Sequence, residues 1–267
     1  MIIGKKEFDV KNRTYVMGIL NITPDSFSDG GKYNQFDNAL RHVENMITDG
    51  ADIIDVGGES TRPGYQKISD NEEIERVVPV IEAIKRNFDI PISLDTYKSQ
   101  VALEGIKAGA DLINDIWGLK YDNNMAFVIA QANVCCCLMH NRETINYNNF
   151  MKDLETDLGE SLNIAKKAGI ANDKIILDPG VGFAKTYEMN IEIIHNLEQL
   201  HMFGLPILLG TSRKSVIGLA LNLPAEQRLE GTLATTVIGV IKHCAFVRVH
   251  DILENSRVIK MTEAILQ

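Results

Sequence analysis

One pattern recurs along this chain and limits the folds that it can adopt. A short apolar run ends in a polar or glycine-rich loop, and a longer amphipathic stretch usually follows. The apolar runs are residues 15–20, 52–56, 91–95, 111–114, 134–139, 174–178, 206–210 and 246–249. Such alternation is typical of β–α units that build a parallel sheet. Eight runs in 267 residues predict an α/β protein with a (β/α)8 barrel, the TIM-barrel fold.

Helical patterns fill the intervals between these runs. They cover residues 37–49, 71–86, 98–108, 151–168, 187–201, 225–243 and 251–267. The competing fold is a doubly wound open sheet, which usually has fewer strands and a GxGxxG fingerprint after its first strand. The loop 21–31 lacks that fingerprint, which favours the barrel. We expect a single domain over residues 1–267, in which the first ten or so residues form a small hairpin over the barrel bottom.

Charge and composition exclude some classes of partner. The formal net charge of −9 makes a nucleic-acid partner a poor expectation. No apolar run reaches the length that spans a bilayer, and the first residues are too polar for a signal peptide, so we expect a cytoplasmic protein without a membrane partner. Cys135, Cys136 and Cys137 are consecutive, and adjacent strand residues point to opposite faces. We therefore expect small buried side chains in a reducing compartment, and neither a disulfide framework nor a metal site.

Polar residues end several of the predicted strands, and barrel enzymes place their active sites at the carboxyl ends of the strands. Asp95, Asn114 and Asp178 end the third, fourth and sixth strands. Any one of them is a plausible helix N-cap, but three together favour a shared mouth in which buried polar groups need partners. Two carboxylates and an amide match a flat heterocycle with donors along one edge, such as a 2-amino-4-oxopyrimidine. A metal site would be expected to add histidines or more carboxylates. Met139, which ends the fifth strand, is equally consistent with a core position and with packing on a ring face.

Basic residues are predicted at the same end of the barrel. They are Arg62, Lys214, Arg248 and His250. The helix that begins near Ser215 would present free backbone N–H groups to an anion. Like charges are not clustered for stability, so this basic rim predicts an anionic ligand such as a phosphate group.

Six segments at the predicted strand ends carry a resemblance to a known family. They are residues 21–31, 57–64, 95–99, 178–185, 210–215 and 248–251. In this order they resemble the signature segments of dihydropteroate synthases, and they extend over nearly the whole chain. The resemblance implies a TIM-barrel enzyme of folate biosynthesis. Such an enzyme joins 6-hydroxymethyl-7,8-dihydropterin pyrophosphate to 4-aminobenzoate and releases 7,8-dihydropteroate and pyrophosphate.

The resemblance also implies roles for residues of this chain. The pterin pocket would consist of Asp95, Asn114, Asp178 and Lys214, with Met139 and Arg248 flanking the ring. The pyrophosphate site would consist of Asn21, Arg62, Arg248 and His250, with Mg²⁺ as cofactor and Asn21 as its protein contact. The 4-aminobenzoate would lie near Thr61, Pro63, Phe183, Lys214 and Ser215. The catalytic set would be Asp29, Arg62, Lys214, Arg248 and His250.

The implied chemistry is consistent with these groups. The C–O bond to pyrophosphate can break first, in an SN1-like step, because the resulting pterin cation is stabilised by resonance. Asp29 would stabilise the developing positive charge, and Mg²⁺, Arg248 and His250 would stabilise the leaving group. The neutral arylamine then attacks without a strong base. The family is a target of sulfonamides and is usually homodimeric, and we expect the late helices to form the interface.

Two other functions remain as alternatives at this point. A pterin-binding methyltransferase that uses methyltetrahydrofolate and a corrinoid partner would share the barrel and its polar floor, but it does not need the basic rim. A catalytically inactive barrel kept as a binding protein would be expected to lose Asp29, Arg62 or His250, and this chain has all three.

Overall fold

The chain begins with an antiparallel hairpin of two short strands, β1 (Ile2–Ile3) and β2 (Lys6–Glu7). The computed structural model describes residues 1–22, 31–59 and 67–266, with only the backbone for residues 31–36. Ile3 and Phe8 are buried against Tyr15 and Phe246, the first residues of two barrel strands. The hairpin therefore covers the amino-terminal end of the barrel, as its sequence predicts.

Eight parallel strands close into the barrel. They are β3 (Tyr15–Asn21), β4 (Ile53–Gly57), β5 (Ile92–Asp95), β6 (Leu112–Asp115), β7 (Cys135–Met139), β8 (Ile175–Asp178), β9 (Leu208–Leu209) and β10 (Phe246–Val249). Their hydrogen-bonded order is β8-β7-β6-β5-β4-β3-β10-β9. The ring closes where the Leu177 N–H donates to the Pro206 carbonyl over 2.9 Å. A parallel bridge joins Leu177 to Ile207 at the same place. The predicted (β/α)8 barrel is confirmed.

Helices surround the barrel. They are α1 (Gly31–Asp49), α2 (Asp70–Asn87), α3 (Ser99–Ala108), α4 (Met125–Ala132), α5 (Phe150–Ala168), α6 (Tyr187–His195), α7 (Ser215–Leu221), α8 (Leu229–Ile241) and α9 (Ile252–Leu266). Across the described ranges, no helix is long and apolar enough to cross a membrane. The sequence patterns do not indicate α4, because its eight residues are almost all apolar and show no polar face.

Two predicted helices are shorter in the structure. The pattern over residues 187–201 predicts one helix, but α6 ends at His195 and a 3₁₀ segment, Leu197–Phe203, follows it. Asn196 ends α6 with φ −111° and ψ 24°, and its backbone N–H and side-chain amide both donate to the Glu192 carbonyl, over 3.0 and 2.9 Å. The pattern over residues 225–243 likewise starts as a 3₁₀ turn, Ala225–Gln227, before α8 begins.

Side chains alternate between two apolar layers along each strand. The outer layer lies between the strands and the helices. The inner layer fills the lower half of the barrel beneath the hairpin. Cys135 and Cys137 lie in the inner layer and Cys136 in the outer layer, and all are buried and free of disulfides. The prediction that these cysteines are small buried side chains on alternating faces is confirmed.

Candidate active site

The inward side chains change from apolar to polar toward the carboxyl ends of the strands. The inward residues of this upper layer include Asp55, Ser93, Asp95, Asn114, Asp178 and Arg248. One register line joins Asn21, Gly57, Asp95 and Asn114 across four neighbouring strands. The barrel therefore brings together the three polar strand ends that the sequence predicts as a shared floor. Asp95, Asn114 and Asp178 are all buried, with 4–7% of their surface exposed.

Arg248 is paired with two carboxylates of this layer. Its Nε donates to Asp55 Oδ2 over 2.6 Å, and its Nη2 donates to Asp95 Oδ2 over 2.6 Å. Among the described residues, the second oxygens of Asp55 and Asp95 are buried without a hydrogen-bond partner. Burial raises the pKa of Asp95 to about 7, although the Arg248 charge opposes that rise. Asp55 and Asp95 thus each offer a ligand one acceptor oxygen beside the Arg248 guanidinium.

Asp178 and Lys214 form the opposite side of the floor. Asp178 Oδ1 accepts the Gly180 N–H over 2.7 Å, and Lys214 Nζ donates to the Val181 carbonyl over 2.6 Å. Burial raises the pKa of Asp178 and lowers that of Lys214 to about 8. A Cβ at Gly210 would lie 3.6 Å from Lys214 Nζ and 3.7 Å from Asp178 Oδ2, which are ordinary contact distances. Gly210 thus borders the space between the two charges.

Aromatic and apolar side chains adjoin this floor. Tyr97, Ile116 and Met139 form a buried cluster, and Trp117 and Phe183 pack against it. Lys214 Nζ lies 4.8 Å from the centre of the Phe183 ring, in cation–π geometry. Met139 is thus a buried residue of an apolar cluster, and its register partner on β8 is Asp178 of the floor.

His250 is held at the rim by Ser212. The Ser212 hydroxyl oxygen lies 2.9 Å from His250 Nδ1 and accepts the His250 backbone N–H over 3.2 Å. A hydroxyl that accepts the backbone N–H can donate its own proton to Nδ1, which leaves the proton of a neutral imidazole on Nε2. Such an Nε2–H is a donor suited to a phosphate oxygen. Ser215 begins α7, as expected, but that helix has only seven residues.

Several predicted site residues lie outside the described residues. They are Asp29, Thr61, Arg62 and Pro63. Asn21 is described: it ends β3, is exposed, and its Oδ1 would lie 3.9 Å from a Cβ added at Gly57. Asn21 therefore stands at the edge of the floor. Within the described ranges, no group of three or more His, Cys, Asp or Glu side chains could hold a metal ion.

The structure adds polar residues that the sequence analysis does not single out. Asp55 is fully buried in the middle of β4, where a charged residue interrupts an apolar run at an inward position. That interruption is a usable sequence signal. Below the loop that follows β4, Lys98 Nζ donates to Glu59 over 2.8 Å and to Glu73 over 2.7 Å, and the Tyr97 hydroxyl donates to Glu59 over 2.6 Å. This buried network fixes the base of that loop.

A second buried network lies behind β7. His140 Nε2 is 2.8 Å from Asp157 Oδ2, and Arg142 Nε donates to the same oxygen over 2.6 Å. His140 Nδ1 is buried and has no partner among the described residues. Burial lowers the pKa of the His140 imidazole to about 4, although Asp157 favours the protonated form. The imidazole is therefore neutral near pH 7, with its proton on the nitrogen that faces Asp157.

Acid should weaken the fold through His140. An unfolded histidine has a pKa near 6.5, so between pH 6.5 and about 4 the unfolded chain binds a proton that the folded chain does not. The free energy of unfolding therefore falls as the pH falls through this window, by up to about 3 kcal/mol from this group. Replacing His140 with glutamine, which can still donate to Asp157, should flatten the dependence. Urea unfolding between pH 4.5 and 7.5 would measure it. Exposed His195→Gln is the control, and equal slopes for all three chains would contradict the assignment.

Known proteins share this architecture and a large part of this sequence. The family model described as "Pterin binding enzyme" matches residues 17–250. The dihydropteroate synthase of Clostridium beijerinckii is 65% identical over the whole of both chains, and that of Bacillus subtilis is 56% identical over 96% of this chain and 90% of its own. A crystal structure of the Clostridium difficile dihydropteroate synthase in the presence of pteroic acid is 51% identical and superposes with a TM-score of 0.95, covering 97% of this chain and 99% of that chain. A Yersinia pestis dihydropteroate synthase in a sulfonamide drug complex is 41% identical, with a TM-score of 0.92 over 100% of this chain and 98% of that chain.

Proposed function

This chain belongs to the dihydropteroate synthase family of pterin-binding enzymes, and on that premise we propose that residues 1–267 form one catalytic domain that makes 7,8-dihydropteroate. Its substrates would be 6-hydroxymethyl-7,8-dihydropterin pyrophosphate and 4-aminobenzoate, and its other product pyrophosphate. One observation carries the proposal. A single barrel mouth combines buried acceptors at Asp95, Asn114 and Asp178 with the cations of Lys214 and Arg248.

The floor of the mouth would bind the pterin. The proposed contacts are Asp95, Asn114, Met139, Asp178, Lys214 and Arg248. Asp95 Oδ1 has no partner among the described residues, and one oxygen of Asp178 already accepts the Gly180 N–H. The other oxygen of Asp178 and Oδ1 of Asp95 are thus suited to accept the ring and amino N–H groups of the pterin. The buried site makes such charged hydrogen bonds stronger than they would be in water.

The rim would bind the pyrophosphate. The proposed contacts are Asn21, Arg62, Arg248 and His250. Arg248 spans floor and rim because its guanidinium is held by Asp55 and Asp95, and His250 is oriented by Ser212. These fixed donors stabilise the charge that develops on the leaving oxygen, without reorganisation during the reaction.

A magnesium ion fits the donors at this edge. Mg²⁺ is usually bound by one or two protein oxygens together with substrate phosphates and water. Asn21 offers a side-chain carbonyl oxygen at the edge of the floor beside Asp95, so a single protein contact there suits the ion. When bound, the ion would neutralise charge on the pyrophosphate.

The second substrate would lie between the Phe183 loop and the start of α7. The proposed contacts are Thr61, Pro63, Phe183, Lys214 and Ser215. The Phe183 ring, 4.8 Å from Lys214 Nζ, gives the aryl ring a flat apolar surface beside a cation for its carboxylate. This orientation directs the amine toward the reacting methylene carbon.

The reaction would proceed by loss of pyrophosphate and then attack by the arylamine. The C–O bond breaks with its electron pair leaving on pyrophosphate, and the amine nitrogen forms the new C–N bond and loses one proton. Asp29 would stabilise the positive charge between the two steps. Arg62, Lys214, Arg248 and His250 complete the proposed catalytic set. Identity to dihydropteroate synthases over the full chain disfavours both the corrinoid-dependent methyltransferase and an inactive barrel.

Pyrophosphate release from the purified chain tests this function. The assay contains Mg²⁺ and the pterin pyrophosphate, with and without 4-aminobenzoate. We expect release that depends on 4-aminobenzoate, together with equimolar dihydropteroate. Absence of turnover combined with tight binding of methyltetrahydrofolate would move the chain to the methyltransferase class. Release without 4-aminobenzoate would indicate a simple pyrophosphohydrolase.

We also propose that the chain is a homodimer of the cytoplasm. Leu219, Ile238 and Ile241 on α7 and α8 are exposed apolar residues, which is typical of an interface. The four cysteines are buried and free, which is consistent with a reducing compartment. Sedimentation velocity of the purified chain would measure the oligomeric state.

A further inference from the structure

A buried lysine beside the proposed site has no role in the reaction described above. Lys185 is 8% exposed. Its Nζ donates to three backbone carbonyls, those of Gly180 and Phe183 over 2.9 Å each and that of His140 over 3.3 Å. Within the described part of the chain it forms no salt bridge. The amine of Lys185 therefore lies inside the loop after β8, and backbone carbonyls of this loop and of His140 accept its hydrogen bonds.

The loop that Lys185 fills has an unusual backbone. Gly180, Gly182 and Ala184 have positive φ angles of 70°, 87° and 44°. A Cβ at Gly180 would lie 2.0 Å from the His140 carbonyl oxygen, so the chain approaches β7 there as only glycine allows. Ala184 adopts the left-handed region despite its side chain, which costs energy that other contacts must offset.

Further hydrogen bonds hold the same loop from other directions. Asn190 Oδ1 accepts the Gly182 N–H over 2.6 Å. The Tyr147 hydroxyl donates to the Ala184 carbonyl over 3.0 Å. Arg142 lies 4.3 Å from the Tyr147 ring and is paired with Asp157. The loop after β7, residues 140–149, thereby supports the loop after β8.

The supported loop determines where two proposed site residues lie. It carries Phe183, whose ring packs on the cluster around Met139 and faces Lys214. It also carries the Val181 carbonyl that accepts from Lys214 Nζ. A shift of this loop would therefore move both the apolar surface and the cation that are proposed to bind the aryl carboxylate.

We propose that Lys185 is a positioning residue that fixes the loop 179–186, so that Phe183 and Lys214 are set for an aromatic carboxylate substrate. This inference rests on the proposed function, because the substrate is 4-aminobenzoate. Lys185 itself acts through the loop and touches no substrate.

A role in stability alone explains Lys185 poorly. Burial lowers its pKa from 10.5 to about 7. Above pH 7 the unfolded chain therefore binds a proton that the folded chain binds less well, so keeping this lysine protonated works against folding. Charged side chains also act on this pKa: Asp178 and Asp157 raise it, and Lys214 and Arg142 lower it. The three carbonyl bonds that hold the loop therefore come with a burial cost that an apolar side chain would avoid.

Steady-state kinetics of Lys185→Met would test the proposal. Methionine keeps an unbranched side chain that is one atom shorter, and it donates no hydrogen bond. We expect the KM for 4-aminobenzoate to rise by on the order of tenfold, since small misplacement of positioning groups weakens catalysis strongly. The KM for the pterin pyrophosphate should rise by a smaller factor, because Lys214 is one of six proposed pterin contacts, whereas Lys214 and Phe183 together are proposed to hold the aryl carboxylate substrate. Lys185→Gln retains two N–H donors and should recover part of the loss. Lys152→Met, the same change at an exposed lysine of α5, is the matched control.

Two further measurements keep the test decisive. Tyr147→Phe removes only the hydroxyl bond to Ala184 and should raise the KM for 4-aminobenzoate in the same sense by a smaller factor, which decides the matter if Lys185→Met does not fold. Trp117 is the only tryptophan of the chain and packs on the same cluster as Phe183, so its emission should shift in the Lys185 variants without any substrate.

The outcomes separate this inference from the proposed function. An unmodified chain that makes no dihydropteroate would overturn the function. An active unmodified chain together with an unchanged KM for 4-aminobenzoate in Lys185→Met, or an equal rise in both KM values, would overturn the positioning role alone.

Discussion

Replacing Arg248 with methionine should lower the rate of dihydropteroate formation by on the order of 10²–10³-fold, because one fixed donor to the developing charge is lost. The free energy of unfolding should also fall, by about 3–5 kcal/mol, since the change leaves Asp55 and Asp95 buried without their cation. Initial rates at saturating substrates and urea unfolding at pH 8 would measure the two effects.

The pH dependence of this variant has a definite sign. Arg248 holds the pKa of Asp95 down, so its removal raises that pKa above its present value of about 7. Between pH 3.8 and the raised value, the folded variant binds a proton that the unfolded chain has released. The unfolding free energy of the variant therefore falls as the pH rises through this window, and its deficit should be larger at pH 8 than at pH 6.

A double variant separates stability from catalysis. Asp55→Asn combined with Arg248→Met removes one of the two carboxylates that lose their partner, so much of the lost stability should return. The rate should stay low, because no guanidinium is restored. Arg248→Lys keeps a charge but cannot donate to both carboxylates at once, and it should be intermediate. Recovery of the full rate in the double variant would show that Arg248 does not act on the leaving group.

The barrel and its floor could be predicted because both follow from local periodicity. Each apolar run became a strand, and side-chain alternation places Asp95, Asn114 and Asp178 on the inner face. The same alternation places Asp55 inside the barrel. The sequence analysis did not single it out, because it lies in the middle of an apolar run and not at its end. A charged residue within an apolar strand is therefore as informative as one at its end.

Contacts between distant segments could not be predicted in this way. Ser212 meets His250 across 38 residues, and Lys185 meets the His140 carbonyl across 45 residues. Every residue has a backbone carbonyl, so the sequence does not show which carbonyls a lysine contacts. The buried role of Lys185 could therefore not be predicted. Asp29, Thr61, Arg62 and Pro63 lie outside the described residues, and their roles stay predictions.

The division of the barrel into two halves relates these findings to function. Below the floor, the inner layer is apolar and closed by the hairpin, which excludes water from the underside of the polar groups. Charges in such a place interact strongly but need partners. Arg248 is the partner of both Asp55 and Asp95. One oxygen of each carboxylate, Oδ1, has no hydrogen-bond partner among the described residues. Stability and ligand binding therefore depend on the same side chains, and a test must measure both.

Asp178→Asn offers such a test for the pterin floor. Asparagine has nearly the same shape, and its carbonyl oxygen can still accept the Gly180 N–H that Asp178 Oδ1 accepts over 2.7 Å. Its amide nitrogen, however, would present donors where the pterin also has donors. A charged hydrogen bond contributes about 1.5–3 kcal/mol, so the Kd for a 2-amino-4-oxopteridine should rise by roughly 10- to 100-fold. Isothermal titration calorimetry would measure it.

Asp115→Asn is the matched control for this change. Asp115 is buried at the end of β6, which β7 separates from β8, and its oxygens accept the N–H groups of Trp117 and Leu119. This variant should lose stability, because one of the two hydrogen bonds is lost, and should keep the pterin Kd. A rise in Kd for Asp178→Asn alone therefore assigns the contact to the ligand. Equal Kd values for Asp178→Asn and the unmodified chain would show that the pterin does not use Asp178, and the floor would then need another ligand.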